Sequence, residues 1–173
     1  MIRVVLTGSE STGKSTTAAR LAEHYAAELV PEFVRDYAAA RGGLIEFSDH
    51  GPIAHGQMAL EDEHIARGNR IVIQDTDLLS TVVYCEHYFG ACPRWIRDAA
   101  AGRRPDLYLL MDIDLPWIAD GVRDRGHMRE AMQQLFHDAV FATGVPVSII
   151  RGQGDERFER AVDAIDELML VEG

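Results

Sequence analysis

The sequence predicts an α/β fold, a parallel sheet of about five strands layered between helices. Three observations carry this. Short apolar runs alternate with helical apolar stripes along the whole chain, which is the pattern of βαβ units. A glycine-rich loop separates the first run from the first stripe. No proline-rich or serine-rich linker interrupts the 173 residues, so residues 1–173 are expected to form one domain.

Ile2–Leu6 reads as a strand buried on both faces. Ala18, Leu21, Ala22 and Tyr25 follow at i, i+3, i+4 and i+7, the stripe of a helix packed on that sheet. Glu28–Val30 is a brief strand, and Ile71–Ile73 and Leu107–Met111 are two more. Met132, Leu135, Phe136, Ala139 and Val140 form a second stripe, which Gly144 and Pro146 terminate. Val147–Ile150 is the last strand. Phe158, Ala161, Val162, Ile165, Leu168 and Met169 make the closing helix.

A formal charge of −11 argues against nucleic-acid or anionic-membrane partners, which call for a basic face. Cys85 and Cys92 are too few for a disulfide framework and lack zinc-site spacing. No apolar run has the length of a membrane span, nothing resembles a signal peptide, and no internal repeat is present, so a cytoplasmic protein is expected. His50, His55 and His64 match no metal-binding spacing.

The glycine-rich loop, Gly8–Ser15, reads G-x-x-x-x-G-K-S between a strand and a helix, the setting in which this pattern binds phosphate. Gly8 and Gly13 let the backbone curl, and the amides of Ser9, Glu10, Ser11, Thr12, Lys14 and Thr16 are then candidates to line an anion site at the helix N-terminus. Ser15 is placed to hold Mg²⁺ through its hydroxyl. Lys14 is the only lysine among 17 basic residues. A compact ammonium enters such a loop where a planar guanidinium does not, so Lys survives where Arg fails.

These residues imply ATP and Mg²⁺ as cofactors and a P-loop NTPase fold. With its one lysine in the loop, the chain cannot contain the N-K-x-D guanine motif. The strand "RIVIQD" ends in Asp75 followed by Thr76, without the glutamate that activates water in many hydrolytic ATPases. Both absences favour transfer to a substrate hydroxyl. Asp75, at a strand's C-terminal end, is a candidate Mg²⁺ holder, with an N-cap as its alternative. Asp77 divides between capping and ribose binding. In "VPEFVRDY", Glu32 is a candidate to orient or deprotonate the acceptor hydroxyl, and Phe33, Arg35 and Asp36 are candidates for binding it. Arg123 and Arg125 lie where a lid, around 115–130, would close over the phosphoryl group. Gly152, in "RGQGDER", is either an adenine-side turn or a plain connection.

"GSESTGKS", "PEFVR", "FSD" at Phe47–Asp49, "DTD" at Asp75–Asp77 and "WIADGVR" at Trp117–Arg123 run in order over nearly the whole chain. Together they resemble the nicotinamide riboside kinase domain of bifunctional bacterial NAD-biosynthesis regulators. The resemblance implies a nucleoside-kinase-like sheet of five strands and ATP-dependent phosphorylation of the ribose 5′-hydroxyl. The small-molecule substrate that the resemblance implies is a pyridinium cation, which favours aromatic faces such as Trp117 and nearby carboxylates. Only seven residues precede the P-loop, and no H-x-G-H motif occurs, so an adenylylation or repressor role is not carried over and a free-standing kinase is expected. The rivals are a deoxynucleoside or thymidylate kinase and a nucleotide-sensing module without catalysis. No sequence feature bears on oligomeric state.

Overall fold

The computed structural model describes residues 1–116 and 128–172. Residues 117–127, with Trp117, Arg123 and Arg125, lie outside the described residues.

Five parallel strands form one sheet: β1 (Ile2–Thr7), β2 (Glu28–Val30), β3 (Ile71–Asp75), β4 (Leu107–Met111) and β5 (Val147–Ile150), in the order β2-β3-β1-β4-β5. All five strands were legible as apolar runs, with β1 and β3 extending by one and two residues respectively. β1 lies at the centre, with Val4 opposite both Ile73 and Leu107. Its side chains Val4, Val5 and Leu6 are wholly buried, which explains the unbroken apolar run.

Alternation along the strands feeds two cores. On one face Ile2, Val4, Leu6, Ile73 and Leu109 pack against α1 (Lys14–Tyr25) and α7 (Asp155–Glu172). On the other, Val5, Tyr108 and Leu110 pack against α4 (Leu78–Phe89) and α6 (Arg129–Ala142). The stripes read from the sequence are these contacts: Leu21 and Ala18 of α1, Phe136 and Val140 of α6, Ala161 and Ile165 of α7.

Between β2 and β3 the chain adds α2 (Phe33–Ala40), a 3-10 turn at Phe47–Asp49 and α3 (His50–Ala66). With α5 (Arg94–Gly102), α3 and α4 enclose a third apolar cluster of Ala54, Leu78, Val82, Cys85, Cys92 and Ile96. Both cysteines are free and buried in or beside it. Gly56 of α3 permits a close approach: a Cβ there would lie 2.2 Å from the Phe33 ring. Among the described residues no helix is long and apolar enough to cross a membrane.

Candidate active site

The loop between β1 and α1 curls through left-handed backbone at Ser11 (φ 54°) and Gly13 (φ 77°). At Gly8, φ is 129° and a Cβ would stand 2.7 Å from the Met111 carbonyl oxygen, so the end of β4 presses directly on the loop. Lys14 is buried, its Nζ donating to the carbonyls of Ser9 (2.6 Å) and Gly8 (3.0 Å). Ser15 and Thr16 are exposed at the first turn of α1.

Three buried side chains that the sequence reading passed over brace this loop from behind. The Ser9 amide donates to Gln133 Oε1 (2.9 Å), while Gln133 Nε2 donates to Met111 O (3.0 Å). Arg129 Nη2 donates to Ser11 O (2.8 Å), and burial pushes its pKa down. Arg157 Nε donates to Thr12 O (3.0 Å), and its other nitrogens bond Asp112 O, Asp114 Oδ1, Ile150 O and Gly152 O. The loop, the end of β4 and the end of β5 therefore meet on one guanidinium. The available signal was positional: Arg129 and Arg157 sit at the N-terminal turns of helices that flank the phosphate loop.

Beside the loop, Asp75 closes β3. Its Oδ2 accepts from Ser15 Oγ at 2.5 Å. Its Oδ1 is buried and has no hydrogen-bond partner among the described residues. Burial pushes the Asp75 pKa up, the Glu32 carboxylate adds to this, and the Ser15 bond and the Lys14 and Arg35 charges oppose it. An orphaned carboxylate oxygen beside a serine hydroxyl at a phosphate loop fits a hydrated Mg²⁺, which takes one or two protein oxygens and draws the rest from water and phosphate. Among the described residues no cluster of three or more metal-binding side chains exists. His64 is bonded to Glu28, and His50 to backbone carbonyls.

A cavity of about 490 Å³ opens on the far side of Asp75. Glu32, Gln57 and Asp77 supply its polar wall, and Leu44, Tyr84 and Tyr88 are among its apolar lining. Glu32 is the N-cap residue of α2 and is 7% exposed. Gln57 Oε1 accepts from the Phe33 amide (3.0 Å), satisfying the first turn of α2 and fixing the backbone that carries Glu32. Thr76 holds a left-handed backbone, φ 69°, unusual for a β-branched residue. That turn, pinned by a hydrogen bond between the Thr76 and Ser80 hydroxyls, sends Asp75 toward the P-loop and Asp77 toward the cavity.

Asp77 caps α4. Its Oδ1 accepts from the Leu79 amide at the start of α4 (3.1 Å), and its Oδ2 accepts from the Tyr108 hydroxyl (2.7 Å). Burial pushes its pKa up to about 6 against these bonds. It still borders the cavity.

Other expected site residues lie elsewhere. Phe33 turns onto Gly56 of α3 and Asp36 is exposed on α2; neither lines the cavity, because residues one and four into that helix face away from Glu32. Arg35 is half-exposed, 3.4 Å from Glu32 Oε2. The Gly152 amide donates to Asp114 Oδ2 (2.7 Å) and its carbonyl accepts from Arg157, so both of its backbone groups are engaged within the protein.

A glycine-rich loop at a helix N-terminus, a buried lysine within it and a carboxylate at the neighbouring strand end define a P-loop nucleoside-triphosphate fold. The chain belongs to the family described as an AAA domain, whose model matches residues 3–157. It is 30% identical to the trifunctional NAD biosynthesis/regulator protein NadR of Salmonella typhimurium, over 98% of this chain and 43% of the relative. It thus spans less than half the length of that relative. A crystal structure of NadR protein in complex with NR matches with a TM-score of 0.83 at 26% identity, over 96% of this chain and 49% of the other. The thymidylate kinase of Ehrlichia chaffeensis matches in fold alone, with a TM-score of 0.67 at 19% identity over 96% and 98% of the two chains.

Proposed function

We propose that this chain is an ATP-dependent kinase, one domain with a lid around 115–130, that phosphorylates the 5′-hydroxyl of nicotinamide riboside in the cytoplasm. The observation that carries the reading is the cavity beside Asp75, with the buried Glu32 in its wall. It is an acceptor site set next to a donor site, which a sensor or a hydrolase does not need. The likeness to NadR, including the structure in complex with NR, supports the choice of acceptor. A NadR structure in complex with NAD and AMP-PNP, 25% identical, supports ATP as the donor.

In this mechanism the γ-phosphate lies in the curl of Gly8–Ser15, where the loop amides and the α1 N-terminus face its oxygens. Lys14 exchanges its bonds to Ser9 O and Gly8 O for phosphate oxygens. Ser15 and Asp75 would hold Mg²⁺, which would supply positive charge against the phosphate oxygens. Glu32 orients the acceptor hydroxyl and takes its proton. The hydroxyl oxygen forms a bond to the γ-phosphorus as the bond from phosphorus to the β,γ-bridging oxygen breaks, leaving ADP. Arg123 and Arg125, in the lid, are proposed to meet the charge on the transferring group, a contribution of roughly 10³–10⁵ in rate in related systems. Trp117 and Arg35 are proposed to border the bound nucleoside. The pyridinium charge suits a cavity that combines Glu32 and Asp77 with Tyr84 and Tyr88.

Incubation of purified protein with ATP, Mg²⁺ and a panel of nucleosides, read by mass spectrometry, tests the reading. Nicotinamide mononucleotide is expected as the dominant product. Phosphorylation of thymidine or thymidylate without it would keep the fold and overturn the acceptor.

A further inference from the structure

The motif Phe47–Asp49 lies apart from the P-loop and the end of β3, yet its aspartate is one of only two buried side chains between residues 39 and 50. Asp49 is 4% exposed, and three partners from two separate elements converge on it. Its Oδ1 accepts from the Tyr37 hydroxyl (2.7 Å) and lies 3.0 Å from Arg41 Nη1, both at the C-terminal end of α2. Its Oδ2 accepts from the Glu46 amide (2.8 Å). The Arg41 guanidinium also covers the Tyr37 ring at 5.0 Å. The Glu46 amide and then the Tyr37 hydroxyl hold the Asp49 carboxyl below its ordinary range, so the anion is present throughout neutral pH.

These bonds matter because of what hangs between them. The chain leaving α2 is tied at Gly43, whose amide donates to Ala38 O (2.8 Å), and next at Glu46, by Asp49. Leu44 and Ile45 lie between the two ties and line the cavity, with Leu44 79% exposed. Neither makes a backbone hydrogen bond to the sheet. An apolar wall that exposed is held by its ends. At the Glu46 end the Asp49 carboxylate closes a capping box; further bonds, from the Asp49 amide and His50 Nδ1, go to the Glu46 carbonyl (both 3.1 Å) and leave the Glu46 amide to Asp49 alone.

We propose that Asp49, with Tyr37 and Arg41, is a positioning clasp that sets Leu44 and Ile45 as a wall of the acceptor cavity and so governs nucleoside affinity, not turnover. The proposal rests on the kinase reading above. The clasp touches neither the P-loop nor Asp75, so its loss acts on one substrate only. The residues concerned bind through shape and apolar contact, so the group they press on is the nucleoside's ring system.

Asp49→Ala, Asp49→Asn and Tyr37→Phe are compared with the wild type by steady-state kinetics in both substrates and by amide hydrogen exchange. Asp49→Ala is expected to raise the nucleoside KM about tenfold or more, with the KM for ATP and the saturated kcat within about twofold. Asn keeps an acceptor for Glu46 or Tyr37 but not the ion pair, and Tyr37→Phe removes one bond without disturbing the core; both should fall between. Exchange at Gly43 and Glu46, whose amides make the two ties, should quicken in the same order. An unchanged nucleoside KM, a parallel rise in both KM values, or a fall in kcat alone would overturn the clasp. Wild-type protein that makes no nucleotide would instead overturn the kinase reading, and the exchange measurement still decides whether Asp49 holds the wall.

Discussion

Eight consecutive residues, Gly8–Ser15, build the phosphate side of the site, whereas the cavity beside it draws on α2, the loop after it, α3, the end of β3 and α4. The first is held by its own backbone and by buried braces that bond carbonyls, Arg129 to Ser11 and Arg157 to Thr12. The second has no such continuous stretch and is held by side chains that join one element to the next, Gln57 to Phe33 and Tyr108 to Asp77. Phosphate presents the same oxygens in every nucleotide, so a local rigid curl suffices to bind it. A nucleoside has a particular shape, and shaping a cavity takes many segments. Damage to the phosphate side should therefore abolish chemistry, and damage to the cavity should mainly shift affinity and stability.

The largest effect should come from Lys14→Arg. The guanidinium keeps the charge but does not fit between the Ser9 and Gly8 carbonyls, and kcat should fall by about 10³ with the melting temperature little changed. Stopped-flow ADP release checks this, and near-normal turnover would break the contrast at its stronger end. Glu32→Gln stands at the boundary between the two sides. Turnover should drop about 10² with the KM for ATP unchanged. Full activity across the pH range would remove Glu32 as the base.

Asp77 belongs to the cavity side, and its effect should appear in stability. The folded group keeps its proton to about pH 6, while the unfolded side chain loses it near its ordinary 3.8. Between those values the folded state binds more protons, so stability declines as pH rises through that window and levels off above it. Asp77→Asn should flatten the decline and gain about 2 kcal/mol at pH 7 relative to pH 4. Urea midpoints for both proteins at the two pH values measure it.

Asp75→Asn should raise the Mg²⁺ concentration needed for half-maximal rate about tenfold, since the amide keeps the Ser15 bond but supplies no charge. A Mg²⁺ titration at fixed ATP reads it. The smallest expected change is Gly56→Ala, where the added methyl displaces the Phe33 ring. After the helix-propensity gain, the net loss should be about 1 kcal/mol, measured by urea unfolding.

The same contrast decides what was legible in the sequence. The strands and the helices α1, α6 and α7 pack directly on the sheet, so their apolar positions recur with period and could be read. The P-loop was legible because its residues are adjacent and each answers one need of a phosphate. The cavity was not. Helices α3 and α5 bury side chains against α4, α2 rests on α3, and α3 carries Gly51 and Gly56 within it, which blurs the stripe. Phe33 was placed at the substrate because it neighbours Glu32 in sequence; helix geometry turns it onto Gly56 instead. Arg157 carries no sequence signal of its own, because the carbonyls around it come from the ends of β4 and β5. Contacts between residues 12 and 157, or 9 and 133, have no local signature.

The central claim is that the phosphoryl group held at Gly8–Ser15 passes to a hydroxyl in the Glu32 cavity and not to water. ADP release, followed with and without nicotinamide riboside at saturating ATP and Mg²⁺, tests it most directly. The account predicts ADP release that depends on the nucleoside, with nicotinamide mononucleotide formed in equal amount and a rate without nucleoside lower by about 10² or more. ADP release at the same rate whether or not the nucleoside is present, with no phosphorylated product, would contradict it.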